Sequence, residues 1–166
     1  MDTEIRWPEI LTHDLLVIGT KYEVYCGGAY PETSTQWQAI NPQTGKAVDM
    51  TTWLDHGTLD NLQNDSARLL EGGEVPESHA FSRLFMQHYA KATAEDDGCA
   101  DTLSEDNDWF IRPAKSGLIF AQNLPHVVQS CSIDVTIPYR QIWPFLSPSG
   151  KAAATAIREV LDGKGG

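Results

Sequence analysis

Side chains that are able to do nucleophilic or metal chemistry do not fall into the spacings that catalytic motifs need. A nucleophile-elbow hydrolase needs Ser in a GxSxG turn, and the sequence contains no such turn. A zinc protease needs two His one helical turn apart with Glu between them, whereas His79 and His88 are nine residues apart. His13, His56 and His126 are isolated in the sequence. We therefore expect no metal site, no cofactor and no enzymatic activity.

Carboxylates are the most abundant groups with acid–base potential, and they are concentrated near the middle of the chain. The members of this group are Glu95, Asp96, Asp97, Glu105, Asp106 and Asp108. A carboxylate pair supports general acid–base catalysis when a hydrophobic pocket raises the pKa of one member. The stretch is polar throughout, which is typical of a solvated loop. A cell-wall hydrolase that uses these carboxylates with His126 is the alternative function.

Two adjacent glycines in the stretch CGGAYP, residues 26–31, raise the question of an anion site. The stretch matches neither GxGxxG nor GxxxxGK[ST], so a phosphate-binding loop is not predicted. Gly27 and Gly28 instead permit backbone angles that are closed to other residues, and Pro31 fixes the path by which the chain leaves. The stretch is therefore interpreted as a tight exit from a strand.

The balance of charge argues against nucleic acid as a partner. The sequence has 12 Lys and Arg against 23 Asp and Glu, a net charge of -11, and phosphate backbones are bound by basic patches. An acidic surface attracts cationic partners and speeds their encounter. No run of 18 apolar residues is present, so no membrane span is predicted. The first ten residues lack the basic and apolar regions of a signal peptide.

Three cysteines, Cys26, Cys99 and Cys131, lie far apart and form no CxxC pair. A disulfide between Cys99 and Cys131 would tie the acidic stretch to the strand that follows it, and would contribute on the order of 3 kcal/mol. The alternative is three reduced thiols. The sequence leaves both arrangements open.

Strands are predicted where apolar and polar residues alternate. In residues 14–26, Leu16 and Ile18 lie on the apolar face of such a strand. The turn NPQTG supplies Pro for a fixed φ and Gly45 for a positive φ, so the residues around it predict a hairpin. Three further strands are predicted in residues 109–112, 118–121 and 131–137, the first two as a second hairpin.

Helices are predicted where apolar residues recur at steps of three and four. One lies in residues 51–70, a second begins with Ser78 as its N-cap, and a third begins after Ser147 with Val160 and Leu161 facing inward. The pattern predicts an α+β fold with a mainly antiparallel sheet and helices packed on one face. We expect residues 1–166 to form a single domain whose core extends from about residue 15 to residue 161.

Two stretches, taken together and in this order, resemble a known family. YCGGAYPETSTQWQAINPQTGKAVDMTTWL is similar to its signature, a strand followed by Gly-Gly-Ala-His-Pro, a second strand and a Thr-Gly-Lys turn. SGLIFAQNLPHVVQSCSIDVTIPYRQIWPFLSPSG is similar to its closing block, in which a final strand ends at Pro138 and Tyr139. The family is the domain of unknown function found at the extracellular C-terminus of the RsiV anti-sigma factor and in the PdaC peptidoglycan deacetylase.

The resemblance implies an extracytoplasmic domain that is not itself catalytic. In the RsiV relative the domain binds lysozyme, and in the deacetylase it accompanies a separate catalytic domain. We therefore expect a binding module for a cationic protein such as lysozyme or for a cell-wall glycan. A structural role, with a homodimer formed through a strand edge, is the remaining alternative, and the oligomeric state is left open.

The chain departs from the family motif at Tyr30, where the family has His. Tyr does not titrate near neutral pH and is a poor metal ligand, so a role that needs imidazole is not carried over. The candidate ligand-binding residues are Tyr30, Glu32 and Trp37 near the glycine loop, with Trp109 and His126 from the closing block. Trp37 and Trp109 also occupy alternating strand positions where core packing is the usual role.

Overall fold

The computed structural model describes residues 3–24, 32–70, 72–93, 109–122 and 133–163. Within these ranges the chain forms six β-strands, four α-helices and two short 3-10 helices. The strands are β1 Thr3–Leu11, β2 Leu16–Val24, β3 Glu32–Ile40, β4 Trp109–Pro113, β5 Gly117–Gln122 and β6 Val135–Pro138. The α-helices are α1 Thr58–Leu70, α2 Ala80–Thr93, α3 Tyr139–Ile142 and α4 Pro148–Leu161, and the 3-10 helices are Met50–Trp53 and Trp143–Phe145.

The strands pair in two three-stranded antiparallel sheets, with the orders β1-β2-β3 and β4-β5-β6. The predicted α+β class and the predicted hairpin of β4 and β5 are confirmed. Strand β1 was not predicted, because Pro8 interrupts its alternation. Pro is tolerated on this strand since β1 is an edge, and its register shifts between Pro8 and Ile10.

The hairpin predicted around NPQTG is only half formed. Gly45 has the expected positive φ of 68°, and its N–H donates to the carbonyl oxygen of Asn41 over 2.8 Å. Beyond this turn the chain makes a single bridge to β3, between Ala47 and Ile40, and then enters the 3-10 helix. The Asp49 side chain caps that helix by accepting from the N–H of Thr51.

Strand β2 buries the opposite face from the one predicted. Leu15 and Val17 are buried, whereas Leu16 and Ile18 are only half-buried. The segment from Leu15 to Ile18 is apolar on both faces, so alternation alone does not identify the face that meets the core.

The buried apolar residues form one cluster that both sheets and the helices share. Helix α2 contributes Phe81, Phe85 and Tyr89, which are spaced four residues apart and therefore lie on one face. Phe85 is within ring contact of Phe120 on β5, at 5.9 Å between centroids. The predicted helix is confirmed, although it begins at Ala80 rather than immediately after Ser78.

Helix α4 packs tightly on the 3-10 helix Met50–Trp53. The predicted cap is confirmed, since the Ser147 hydroxyl accepts from the N–H of Gly150 over 3.2 Å. A Cβ atom at Gly150 would overlap the carbonyl oxygen of Trp53, so only Gly allows this approach. The inward orientation predicted for Val160 and Leu161 is wrong, because both are exposed. The last turn of α4 therefore extends beyond the core.

One buried contact joins helix α1 to the start of helix α2. The Asp65 carboxylate of α1 is completely buried, and its Oδ2 atom lies 2.8 Å from Nδ1 of His79, immediately before α2. Its other oxygen, Oδ1, has no hydrogen-bond partner in the described part of the chain. His79 is therefore the partner that compensates this carboxylate for the loss of water.

We expect His79→Ala to lower the free energy of unfolding by about 3 kcal/mol, because it leaves the buried carboxylate unpaired. In an Asp65→Asn background the same change is expected to cost much less, and urea denaturation of the four proteins of this cycle measures the difference. His13→Ala is the matched control, since His13 and Asp14 are also 2.8 Å apart but are both exposed. Equal losses for His79→Ala in both backgrounds would contradict the assignment.

Candidate functional site

Two of the five predicted ligand-binding residues, Trp37 and Trp109, have described side chains, and both line one cavity. Glu32 is the first residue of β3, and its side chain lies outside the described part. Several other predicted residues also lie outside the described ranges, so the structure does not test them. They are Tyr30 and His126, the loop residues Gly27, Gly28 and Pro31, and the cysteines Cys26, Cys99 and Cys131.

The cavity has a volume of about 490 Å³ and lies between the two sheets. One wall is β3 from Trp37 to Ile40, and the facing wall is β4 from Trp109 to Arg112. Both are edge strands of their sheets, and Gly45 and residues 47–51 lie against the same space. A volume of this size is typical of small-ligand sites, which range from about 300 to 1,000 Å³. We call it the aromatic cavity.

Trp37 is positioned by a row of residues across the first sheet. Trp7, Gly19 and Trp37 are directly opposite one another on β1, β2 and β3. The two indoles meet edge to face, with centroids 5.6 Å apart and planes at 86°. A Cβ atom at Gly19 would lie 2.6 Å from the Trp7 ring and 2.9 Å from the Trp37 ring, so the missing side chain provides the room that both rings occupy.

Arg112 connects the two walls of the aromatic cavity. Its guanidinium carbon lies 4.0 Å from the centroid of the Trp37 ring, and its Nη2 atom donates to Asp134 Oδ2 over 2.8 Å. The side chain is only 12% exposed. A guanidinium over the face of Trp contributes about 0.5 to 2 kcal/mol, with the larger value for desolvated groups. Arg112 therefore fixes the indole of one sheet against the edge of the other.

Trp109 joins the cavity to the core. Its ring meets Phe85 edge to face, with centroids 4.9 Å apart and planes at 74°. Its indole Nε1 is buried and has no hydrogen-bond partner in the described ranges. Buried donors without partners are uncommon in native structures. The neighbouring Phe110 is 41% exposed at the cavity rim.

The polar groups of the aromatic cavity are few. Asp49 is the only acidic residue among the described residues of the lining, and its carboxylate already accepts from the N–H and the hydroxyl of Thr51 at 2.9 and 2.6 Å. Gln38 is exposed and offers an amide that both donates and accepts. The described part of the lining therefore provides aromatic surface, one amide, one guanidinium and one carboxylate.

Arg112, Trp7 and Gln38 belong to the site but were not predicted. The sequence signal that was available for Arg112 is a cation between apolar residues in the middle of a strand, since such a charge needs a partner when it is buried. Its partner Trp37 is distant in sequence, so the pairing itself requires the fold.

The predicted motif residues of the closing block are in described positions. Pro138 ends β6, and Tyr139 begins α3. The Tyr139 hydroxyl donates to the carbonyl oxygen of Ala114 over 3.1 Å, and burial raises the pKa of this hydroxyl above its ordinary value. Tyr139 therefore fastens the β4–β5 turn to the start of α3 as a neutral side chain.

Among the described side chains, no group of three or more His, Cys, Asp or Glu is placed to bind a metal ion. None of the described helices is both long and apolar enough to cross a membrane.

The fold and the site together define an α+β domain with an aromatic cavity between two antiparallel sheets. The solved structures that share this fold include two DUF3298 proteins, members of a domain family of unknown function. The protein from Pseudomonas aeruginosa PAO1 matches with a TM-score of 0.50 and 11% identity over 89% of this chain. The protein from Bacteroides fragilis NCTC 9343 matches with a TM-score of 0.51 and 16% identity over 95% of this chain.

The match covers only part of each structural neighbour. This chain spans 63% of the Pseudomonas protein and 59% of the Bacteroides protein. At these identities the likeness shows the fold alone. No protein-family model matches the sequence, and no curated protein matches it.

We expect Arg112→Gln to lower the free energy of unfolding by about 1 to 2 kcal/mol, because it removes the cation over Trp37 and the ion pair with Asp134. Urea denaturation measures the loss, and tryptophan fluorescence reports the change around Trp37. Lys21→Gln is the control, since it removes one charge from the more exposed pair with Glu23. Equal losses in the two variants would show that the contact with Trp37 contributes nothing.

Proposed function

We propose that the protein is a non-catalytic extracytoplasmic binding domain, and that the aromatic cavity binds a glycan of the cell wall. The observation that carries this proposal is the pair of tryptophans, Trp37 and Trp109, on facing walls of one cavity between two sheet edges. The resemblance of the sequence to the extracellular domains of RsiV and PdaC supports the extracytoplasmic location.

The chemistry of the lining matches a sugar better than a charged or fully apolar ligand. The faces of aromatic rings carry partial negative charge, and the C–H bonds on a sugar ring carry partial positive charge. Sugar rings therefore pack on indole and phenyl faces. Their hydroxyls need a few polar partners, which Gln38 and Arg112 supply at the two walls.

The carboxylate that the described lining of the aromatic cavity offers, that of Asp49, is engaged by Thr51. The alternative hydrolase depends on the carboxylates of residues 95–108 and on His126, which lie outside the described ranges. That alternative stays a prediction from the sequence.

The glycan proposal is tested by titrating the protein with the tetramer of N-acetylglucosamine and recording tryptophan fluorescence. We expect saturable binding with a Kd between about 10 μM and 1 mM. Phe110→Ala is expected to weaken binding roughly 3- to 10-fold through loss of an aromatic contact at the rim. Gln38→Ala is expected to weaken it about 5-fold through loss of a hydrogen bond to a hydroxyl.

Ile5→Ala is the matched control, since Ile5 is an exposed apolar residue on β1 that does not line the cavity. Circular dichroism and urea denaturation confirm that each variant is folded. If both Phe110→Ala and Gln38→Ala bound the tetramer as tightly as the unchanged protein does, the glycan would bind elsewhere on the protein. No binding at millimolar tetramer would reject this glycan as the ligand.

The net charge of -11 favours a second candidate function, the binding of a cationic protein such as lysozyme. An excess of carboxylates attracts a basic partner, and the distance over which this attraction acts becomes shorter as the salt concentration rises. We expect calorimetry to detect binding of lysozyme at low ionic strength and weaker binding at high ionic strength. The absence of heat at low salt would exclude this partner without affecting the glycan proposal.

A further inference from the structure

A second cavity lies on another part of the molecule and has the opposite electrostatic character to the protein as a whole. It has a volume of about 470 Å³ and lies between the β4–β5 turn, α3 with the 3-10 helix that follows it, and the end of α4. Its lining brings together the cations Lys115, Arg140 and Arg158 with the rings of Trp143 and Tyr139 and the side chain of Leu161. We call it the basic cavity.

The cations of the basic cavity have no carboxylate partner in the described part of the chain. Three of the 12 Lys and Arg residues of a chain with net charge -11 line the cavity, and none of the described Asp and Glu residues does. None of the three forms an ion pair within the described ranges, whereas Arg6, Lys21 and Arg112 each contact a carboxylate. Like charges that share one cavity repel each other, so an anion bound among them is favoured.

The acidic and hydroxyl groups around the basic cavity do not supply that anion. Glu159 and Asp162 of α4 are exposed and do not contribute to the lining. The Tyr139 hydroxyl donates to Ala114, and its raised pKa keeps it protonated, so no phenolate forms on that wall. Among the described residues, therefore, none supplies a negative charge to this cavity.

The apolar part of the lining of the basic cavity is exposed to solvent. Trp143 is 38% exposed and Leu161 is 47% exposed, and both lie beside the cations in the cavity. An indole that stays open to solvent beside two guanidinium groups offers a flat surface to a ring or a chain. Lys115 comes from the turn, Arg140 from α3 and Arg158 from α4, so three separate elements converge on the same space.

We propose that the basic cavity binds a small organic anion whose carboxylate or phosphate group is held by Lys115, Arg140 and Arg158, and whose apolar part packs on Trp143 and Leu161. Arginine forks match both kinds of oxyanion, and Lys adds a point charge. This site shares no lining residue with the aromatic cavity, so the inference does not depend on the glycan proposal.

Nuclear magnetic resonance titrations of the whole protein with phenyl phosphate and with 2-naphthoate test the site. We expect the indole N–H signal of Trp143 to shift on saturation, with a Kd of roughly 1 mM or below. Inorganic phosphate is expected to bind more weakly than phenyl phosphate, and benzyl alcohol is expected not to bind. A stronger response to phenyl phosphate than to 2-naphthoate would identify a phosphate ligand, and the reverse would identify a carboxylate.

Arg158→Gln and Lys115→Gln are each expected to weaken binding of the preferred probe at least about 5-fold. Arg83→Gln is the matched control, because it removes the same charge from an exposed position on α2 that lines neither cavity. Circular dichroism checks that the variants are folded, which is expected since Arg158 and Lys115 are exposed.

Three results would overturn the proposal. The first is no shift of the Trp143 signal with either aromatic anion. The second is an equal loss of affinity in Arg83→Gln, which would mean that net charge alone attracts the probe. The third is equal affinity for phenyl phosphate and inorganic phosphate, or for phenyl phosphate and benzyl alcohol, since either equality would remove one half of the proposed recognition.

Discussion

The packing of Phe85 is the constraint on which the rest of the structure depends. Its side chain is completely buried and meets Trp109 of β4, Phe120 of β5 and Tyr89 of its own helix. These contacts fix α2 against the second sheet. Because the Trp109 ring packs edge to face with Phe85, the core also sets the position of one wall of the aromatic cavity. This one aromatic contact therefore contributes both to the stability of the fold and to the geometry of the candidate site.

The aromatic cavity exists because two sheets present their edges to each other without pairing. Strands β3 and β4 are both edges, and exposed edges are prone to join other strands. Here the gap between them is spanned by side chains, with Arg112 of β4 lying over Trp37 of β3. The β-bridge between Ala47 and Ile40 covers the C-terminal end of β3. Side-chain contact in place of backbone pairing leaves room for a ligand.

The parts of the fold that the sequence predicts well are those with a local signal. Helix α4 has its Ser147 cap and Pro148 at the first position, and α2 has apolar residues four apart. The predictions of which face of β2 is buried and of an inward-facing end of α4 were wrong for one common reason. In both, apolar residues occur on more than one face, so tertiary packing decides which of them is buried.

The site could be predicted only in part, for a similar reason. Trp37 and Trp109 were predicted as candidate ligand-binding residues, and the fold brings them to one cavity from positions far apart in sequence. Arg112 could not be assigned from the sequence, because its role depends on a ring that belongs to the other sheet. Contacts across sheets have no local pattern, so residues of this kind become visible only in the structure.

The β4–β5 hairpin contributes residues to the lining of both cavities. It carries Arg112 into the aromatic cavity and Lys115 into the basic cavity. The turn between them is closed by the N–H of Ala114, which donates to Gly117, and the Tyr139 hydroxyl donates to the carbonyl oxygen of Ala114. The hairpin therefore contributes one cation to each cavity, from the two sides of a turn that Tyr139 ties to the start of α3.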